Sequence, residues 1–285
     1  MKLERLIFNG KKINSKDLDF YFLRRGFLYG DGIFETLLAN NSKIFRFNQH
    51  WKRLENGSEI CNLELPKREK VEKLIKKELE ELGNGKYYIR INLWRSKPEK
   101  FNPGKIRKSY YLVIIRKFEP YSVKFYKEGI RCIVSEKIKR NEKSVLSKIK
   151  SLNYLENIIL KIESKKENFD DAIVLNNSGY IVGGSVSNVF FVKNDIVFTP
   201  SLECGSLEGI TRKVIFEICE KEKIELREGF FNLDFLKECK EVFLTNTLMG
   251  IMPVKEIRGY FKSENFKLTR VLSEKYNEIF LKETE

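Results

Sequence analysis

Apolar residues recur along this chain with two spacings, and the segments they mark alternate from one end to the other. Residues 6–8 and 11–13 flank Asn9-Gly10, the pair favoured in a type I′ turn, and predict a hairpin. Residues 26–37 carry Gly26, Gly30 and Gly32 in a loop that runs into a β-rich segment, and Asn40-Asn41 turns the chain into residues 43–47. Asn48 reads as a cap for a helix over 49–61, with Trp51 and Leu54 directed inward. After Pro66, the positions Val71, Leu74, Ile75, Leu79 and Leu82 predict a second helix ending at Gly83. Strands are expected at 87–93 and 109–115, separated by a basic loop containing Pro98 and Pro103.

The stretch around Pro120 is short and polar and reads as a linker. Beyond it, residues 129–134 alternate like a strand, and a basic run through Lys137, Lys139, Arg140, Lys143 and Lys148 leads to Lys150. Tyr154, Leu155, Ile158, Ile159 and Ile162 then fall on one helical face, which predicts an amphipathic helix packed on a core just after that lysine. Further strands are expected at 172–175, 180–182, 189–192, 196–199 and 241–244, and helices from 208–211 onward and over 268–281. The expected class is α+β, with an N-terminal domain over 1–118, a linker over 119–124 and a C-terminal domain over 125–285.

Composition narrows this picture. At 285 residues the chain is long enough for one large or two medium cores. Its formal charge of +14 comes from lysines interleaved with glutamates along the whole length, so it is expected to be a solvated surface and not a nucleic-acid site. Five cysteines without metal-ligand spacing, and a charged N-terminus unlike a secretory leader, predict reduced thiols and a cytoplasmic protein. No apolar run has the length of a membrane span. His50 is the one histidine, which excludes a multi-histidine metal site; no metal is expected, and His50 is expected to pack at the start of its helix.

Three stretches carry chemistry. A lysine held at the edge of a core, as Lys150 is expected to be, loses solvation, and the neutral amine that results is a nucleophile toward carbonyl groups. Glu208-Gly209-Ile210-Thr211 opens a helix whose free N–H groups and hydroxyl suit a phosphate. Thr245-Asn246-Thr247-Leu248-Met249-Gly250 is a second hydroxyl-rich loop after a strand.

Taken in order, GFLYGDGIFETL at 26–37, HWKRL at 50–54, KSLNYL at 150–155, SNVF at 187–190, TP at 199–200, LEGITR at 207–212 and TNTLMGIMPV at 245–254 resemble the class IV aminotransferase family, the fold-type IV pyridoxal phosphate enzymes. The resemblance covers essentially the whole chain. It implies a smaller N-terminal α/β sandwich domain, a larger C-terminal mixed β-barrel-like domain with helices, pyridoxal 5'-phosphate as cofactor, a small amine or carboxylate substrate and a homodimer. It further implies that Lys150 forms the Schiff base and shuttles the substrate proton, and that Arg53 binds the cofactor phosphate. Ile210, through its backbone N–H, Thr211 and Thr247 complete that phosphate site. Tyr29, Arg90 and Arg95 are candidate substrate-binding groups.

The chain departs from the family at one place. Where the family carries a glutamate that keeps the pyridine nitrogen protonated, ungapped matching puts Gly183. Within the family, FETL and KSLNYL are most like 4-amino-4-deoxychorismate lyase, which forms 4-aminobenzoate for folate biosynthesis. The alternatives are an aminotransferase acting on branched-chain or D-amino acids with 2-oxoglutarate, and a homologue that binds the cofactor with impaired turnover.

Overall fold

The computed structural model describes residues 5–13, 24–96 and 101–285. They group into two compact units, one of Met1–Glu119, Ile149–Asn153 and Phe280–Glu285, the other of Pro120–Lys148 and Tyr154–Ile279.

The first unit is built on a six-stranded antiparallel sheet. Strands β1 (Arg5–Phe8) and β2 (Lys11–Ile13) form the predicted hairpin, whose turn residues Asn9 and Gly10 both take positive φ, as a type I′ turn requires. With β3 (Gly32–Asn40), β4 (Lys43–Ile44), β5 (Lys86–Arg95) and β6 (Ser109–Lys117) the order is β2-β1-β6-β5-β3-β4. Helices α2 (Phe47–Ile60) and α3 (Arg68–Leu82) bring Trp51, Leu54, Val71, Ile75 and Leu79 into one core with Ile33, Leu37, Ile89 and Ile91 of the sheet. The residues 71, 75 and 79 share a helix face because side chains four apart stack on each other. Two local readings change. The glycine-punctuated stretch contains a short helix, α1 (Arg24–Tyr29), and α2 begins at Phe47, so Asn48 lies inside the helix and does not cap it.

The second unit holds α4 (Val123–Glu128), β7 (Ile130–Arg140), α5 (Leu155–Lys166), β8 (Asp171–Asn176), β9 (Ile181–Gly183), β10 (Asn188–Lys193), β11 (Ile196–Pro200), α6 (Ile210–Lys221), β12 (Leu226–Gly229), β13 (Glu241–Asn246), β14 (Gly250–Ile257), β15 (Phe261–Lys262) and the greater part of α7 (Lys267–Thr284). Its sheet runs β12-β11-β10-β13-β14-β7-β8-β9, with β15 beside β14. The β11–β12, β14–β7 and β7–β8 pairings are parallel and the rest antiparallel, and the sheet curls until β9 lies beside β10 and β11. Phe190 and Phe243, opposite each other on β10 and β13, stack with centroids 4.9 Å apart, a contact that contributes about 1 kcal/mol beyond its buried area. Position 183 is the last residue of β9, so the Gly183 departure falls where the sheet hands over to a loop.

The expectation of a continuous C-terminal domain over 125–285, preceded by a linker at 119–124, is corrected in two respects. Part of the linker stretch is the start of α4, capped by the Ser122 hydroxyl. Residues 149–153 belong to the first unit because they pair with β3: Ser151 bridges Ile33, the Phe34 N–H donates to the Lys150 carbonyl at 2.8 Å, and the Leu152 N–H donates to the Gly32 carbonyl at 2.9 Å.

The helix after Lys150 is corrected as well. Leu155, Ile158 and Ile162 are 67%, 50% and 49% exposed, whereas Leu160, Glu163 and Ser164 are buried against the second unit's sheet. The apolar periodicity was sufficient to locate α5. It did not indicate which face would find a partner, because the polar Glu163 is accommodated inside by the Ser135 hydroxyl and the Glu136 N–H.

Candidate active site

Lys150 lies in the first unit, fixed by its pairing with β3 and not by the helix that follows. Its amine sits 4.2 Å from the centre of the Phe34 ring, and the Arg90 guanidinium lies 3.7 Å from the same centre. Burial, aided by repulsion from Arg53 and Arg90 and opposed by Glu35, pushes the amine down to about 7. A lysine near neutrality is a nucleophile in its neutral amine form and a proton carrier at the same pH.

The group that organises this corner is Glu35. It is a buried carboxylate in the middle of β3, and its two oxygens accept from Arg53 Nε at 2.7 Å and Nη2 at 2.8 Å. The same carboxylate faces Nδ1 of the buried His50 at 2.8 Å and takes the Thr36 N–H at 3.3 Å. Burial disfavours the Glu35 charge, but Arg53 and His50 outweigh it and hold the carboxyl well below the usual carboxylate range. Burial also lowers the His50 pKa, against the pull of Glu35, so the ring is neutral, donates through Nδ1 to Glu35, and leaves Nε2 as a buried lone pair without a partner among the described residues. Sequence reasoning assigned Arg53 a role but gave none to Glu35. The available signal was a charged residue inside the apolar run Ile33-Phe34-Glu35-Thr36-Leu37, which only a paired carboxylate tolerates.

Of the other expected residues in this unit, Arg90 joins the Lys150 corner, where its Nε donates to Asn92 Oδ1 at 2.8 Å. Arg95 does not. It is buried, and all five of its N–H groups are held: Nε and Nη2 on Asp31, Nη1 on the Asn62 and Ile106 carbonyls, Nη2 also on the Cys61 carbonyl. It is a strut joining β5 to Asp31, to the end of α2 and to the loop before β6. Tyr29 ends α1, half exposed, with its ring edge-on to Phe101 and under the Arg25 guanidinium.

The second unit brings Ile210, Thr211 and Thr247 to the ends of neighbouring elements. Ile210 and Thr211 open α6, whose N-terminus has no side-chain cap, so its first N–H groups keep their donor capacity. Thr247 follows β13 in a turn shaped by Asn246, whose side-chain oxygen accepts from the Leu248 and Met249 N–H groups, each at 2.9 Å. Asn188 joins the two: it pairs with Thr245 across β10 and β13, donates to the Leu207 carbonyl at 2.9 Å, and packs its oxygen so close to Gly209 that a Cβ there would lie 2.0 Å away. Hydroxyls of Ser185, Ser187 and Thr245 are buried in the same region without partners among the described residues. Donors gathered around an open helix terminus fit an anionic phosphate.

No helix among the described residues is long and apolar enough to cross a membrane, no group of His, Cys, Asp or Glu there has the arrangement of a metal site, and the five cysteines are unbridged. The model of the family described as amino-transferase class IV matches residues 32–257, a span that includes Glu35, Arg53, Lys150, Gly183, Thr211 and Thr247. The chain belongs to the class IV aminotransferase family. Aminodeoxychorismate lyase of Bacillus subtilis is 31% identical over 253 residues, covering 87% of this chain and 85% of that protein. D-alanine aminotransferase of Staphylococcus epidermidis is 29% identical over 261 residues and covers 90% of each. The T.th. branched-chain amino acid aminotransferase, solved with pyridoxamine 5'-phosphate, superposes with a TM-score of 0.92 at 26% identity, over 99% of this chain and 96% of that one. The two-unit α+β architecture is therefore the fold-type IV fold of these enzymes.

Proposed function

We propose that this chain is a pyridoxal 5'-phosphate enzyme that eliminates pyruvate from 4-amino-4-deoxychorismate to give 4-aminobenzoate, with Lys150 holding the cofactor covalently between turnovers. The buried amine of Lys150, able to lose its proton near neutral pH, supports the first part of this reading. Arg53, with its guanidinium plane set by Glu35, and the Ile210 N–H, Thr211 and Thr247 are the phosphate ligands. When bound, the cofactor supplies a conjugated ring that takes up the negative charge released at the substrate carbon. Lys150 removes the proton from the carbon that bears the substrate amine. Arg90, beside Lys150 on the Phe34 ring, is the cation for a substrate carboxylate, and Tyr29 supplies an aromatic contact. Arg95 acts by positioning Asp31.

The choice of a lyase is carried by Gly183. Without a carboxylate side chain there the electron sink is weaker, and a reaction drawn forward by formation of an aromatic ring asks less of that sink than a reversible amino transfer. A second reading, transamination of D- or branched-chain amino acids with 2-oxoglutarate, is favoured by the likeness to the two aminotransferases above. Release of 4-aminobenzoate and pyruvate from aminodeoxychorismate, run beside both transamination assays, separates them. Amino transfer without pyruvate release sinks the lyase, and absence of any turnover leaves a cofactor-binding homologue with impaired catalysis. Borohydride reduction is expected to fix the cofactor on Lys150, which peptide mass spectrometry reads directly.

The protein is further proposed to work as a homodimer. Leu155, Ile158 and Ile162, spaced i, i+3 and i+7 on α5, leave a continuous apolar ridge uncovered beside Val186, and such ridges mark association surfaces. Sedimentation of the purified protein checks this, and a monomer at assay concentration rules it out.

A further inference from the structure

Arg90 differs from the other guanidinium beside Lys150 in having no carboxylate partner among the described residues. Phe34 and Asn92 face each other across β3 and β5, and Arg90, two residues before Asn92, lies on the same face of the sheet, diagonal to Phe34. That diagonal brings its guanidinium 3.7 Å from the centre of the Phe34 ring, and the Lys150 amine reaches the same centre at 4.2 Å. The negative face of an aromatic ring attracts either cation, so one ring seats both and keeps them no farther apart than those two distances together allow. The charged and titratable groups that act on the lysine come from three elements: β3 supplies Glu35, α2 supplies Arg53 and the neutral His50, and β5 supplies Arg90. Arg53 is matched, since its Nε and Nη2 rest on the Glu35 carboxylate. Arg90 is not: its Nε donates to the uncharged Asn92 side chain, and its Nη groups carry no hydrogen bond among the described residues. A half-buried guanidinium with both Nη groups open is a fork for a carboxylate. With the fork empty, the charge of Arg90 works together with burial to expel the proton from Lys150.

Resting on the reading of Arg90 as the cation for the substrate carboxylate, we propose that Arg90 couples capture of that carboxylate to the task Lys150 performs. While the fork is empty, the lysine sheds its proton readily and is a nucleophile. A carboxylate on the fork cancels the nearby positive charge, and the ammonium form is no longer repelled from that side. The same lysine then becomes the stronger base that removal of a proton from the substrate carbon requires.

The coupling is read by carbon NMR of the full-length, cofactor-free protein labelled at the lysine Cε atoms, where the signal missing from Lys150→Met is that of Lys150. Saturating benzoate, an unreactive carboxylate, is expected to move the proton release of Lys150 upward by about one pH unit relative to chloride at equal ionic strength, the size of one unit charge several ångströms away at an effective dielectric constant of about 20. Arg90→Gln is expected to release that proton about one pH unit higher than the parent without benzoate and to show no further movement with it. Arg90→Lys, which keeps the charge, is expected to start where the parent does. Benzoate that binds the parent by calorimetry without moving the Lys150 titration overturns the proposal, a result that needs no variant to fold. An Arg90→Gln protein that titrates like the parent, or that responds to benzoate as the parent does, overturns it as well. A parent that binds no benzoate removes Arg90 as a carboxylate site and the coupling with it. The cofactor reading fails separately, when borohydride fixes no pyridoxal phosphate on Lys150, and the titration then still decides the coupling.

Discussion

At the scale of single residues, the Lys150 corner is governed by Glu35. Its carboxylate is the group that raises the Lys150 amine against the lowering by burial, Arg53 and Arg90. Replacing it by glutamine removes that opposition, so Glu35→Gln is expected to drive the Lys150 amine lower still and to cost about 3–5 kcal/mol in urea unfolding, because Arg53 and His50 lose a buried partner. The sign of the Lys150 effect on stability is also set. The unfolded chain binds a proton at this lysine up to its ordinary value of 10.5, whereas the folded chain releases it from about 7. Between those limits the unfolded state holds more protons, so stability of the cofactor-free protein rises with pH across the window. Lys150→Met is expected to be more stable than the parent at neutral pH, with an advantage that shrinks as pH approaches the upper limit. Unfolding curves for both proteins at several pH values check this, and a constant or growing advantage contradicts it.

At the scale of elements, side chains from distant strands finish the helices. The N-terminus of α7 is held by Glu241, whose oxygens accept the Leu268 and Thr269 N–H groups at 2.9 and 2.8 Å. A carboxylate in that position satisfies two open donors and the helix dipole together, so Glu241→Ala is expected to cost about 1–2 kcal/mol and lower the melting temperature. The start of α6 depends on glycine for a different reason. Gly209→Ala drives a methyl into the Asn188 side chain, which breaks its bond to Leu207, and a loss of about 1–3 kcal/mol is expected, together with weaker phosphate binding measured by titration with pyridoxal phosphate. The local pattern of 3.6 and 2 residues placed most elements, since that period belongs to the backbone, but it gave no strand at β12, β14 or β15 and no helix at α4. It failed for α1, where glycines masked a short helix, and for the cap of α2, where Arg46 in a left-handed conformation begins the helix.

At the scale of the whole molecule, the charge of +14 is spread over the surface in many lysine–glutamate contacts of the kind seen between Lys76 and Glu72. Such pairs add little stability and leave the buried hydrophobic clusters to carry the fold. The exposed ridge of α5 interrupts that polar surface. Ile158→Lys is expected to shift the protein toward monomer in sedimentation while changing its unfolding free energy by less than about 0.5 kcal/mol, because the residue is half exposed. The sequence by itself determined most of the succession of elements, the ordered motifs of the family, the lysine and the absence of a glutamate at position 183, since each of these is written in local spacing or residue identity. Only the tertiary structure decided that α5 turns its apolar face outward and that Arg53 is steered by Glu35. It also decided that Lys150 is held by β3. Burial and charge act through space, so the neighbours that set the state of that lysine, Glu35, Arg53 and Arg90, are ones that no local pattern around Lys150 names.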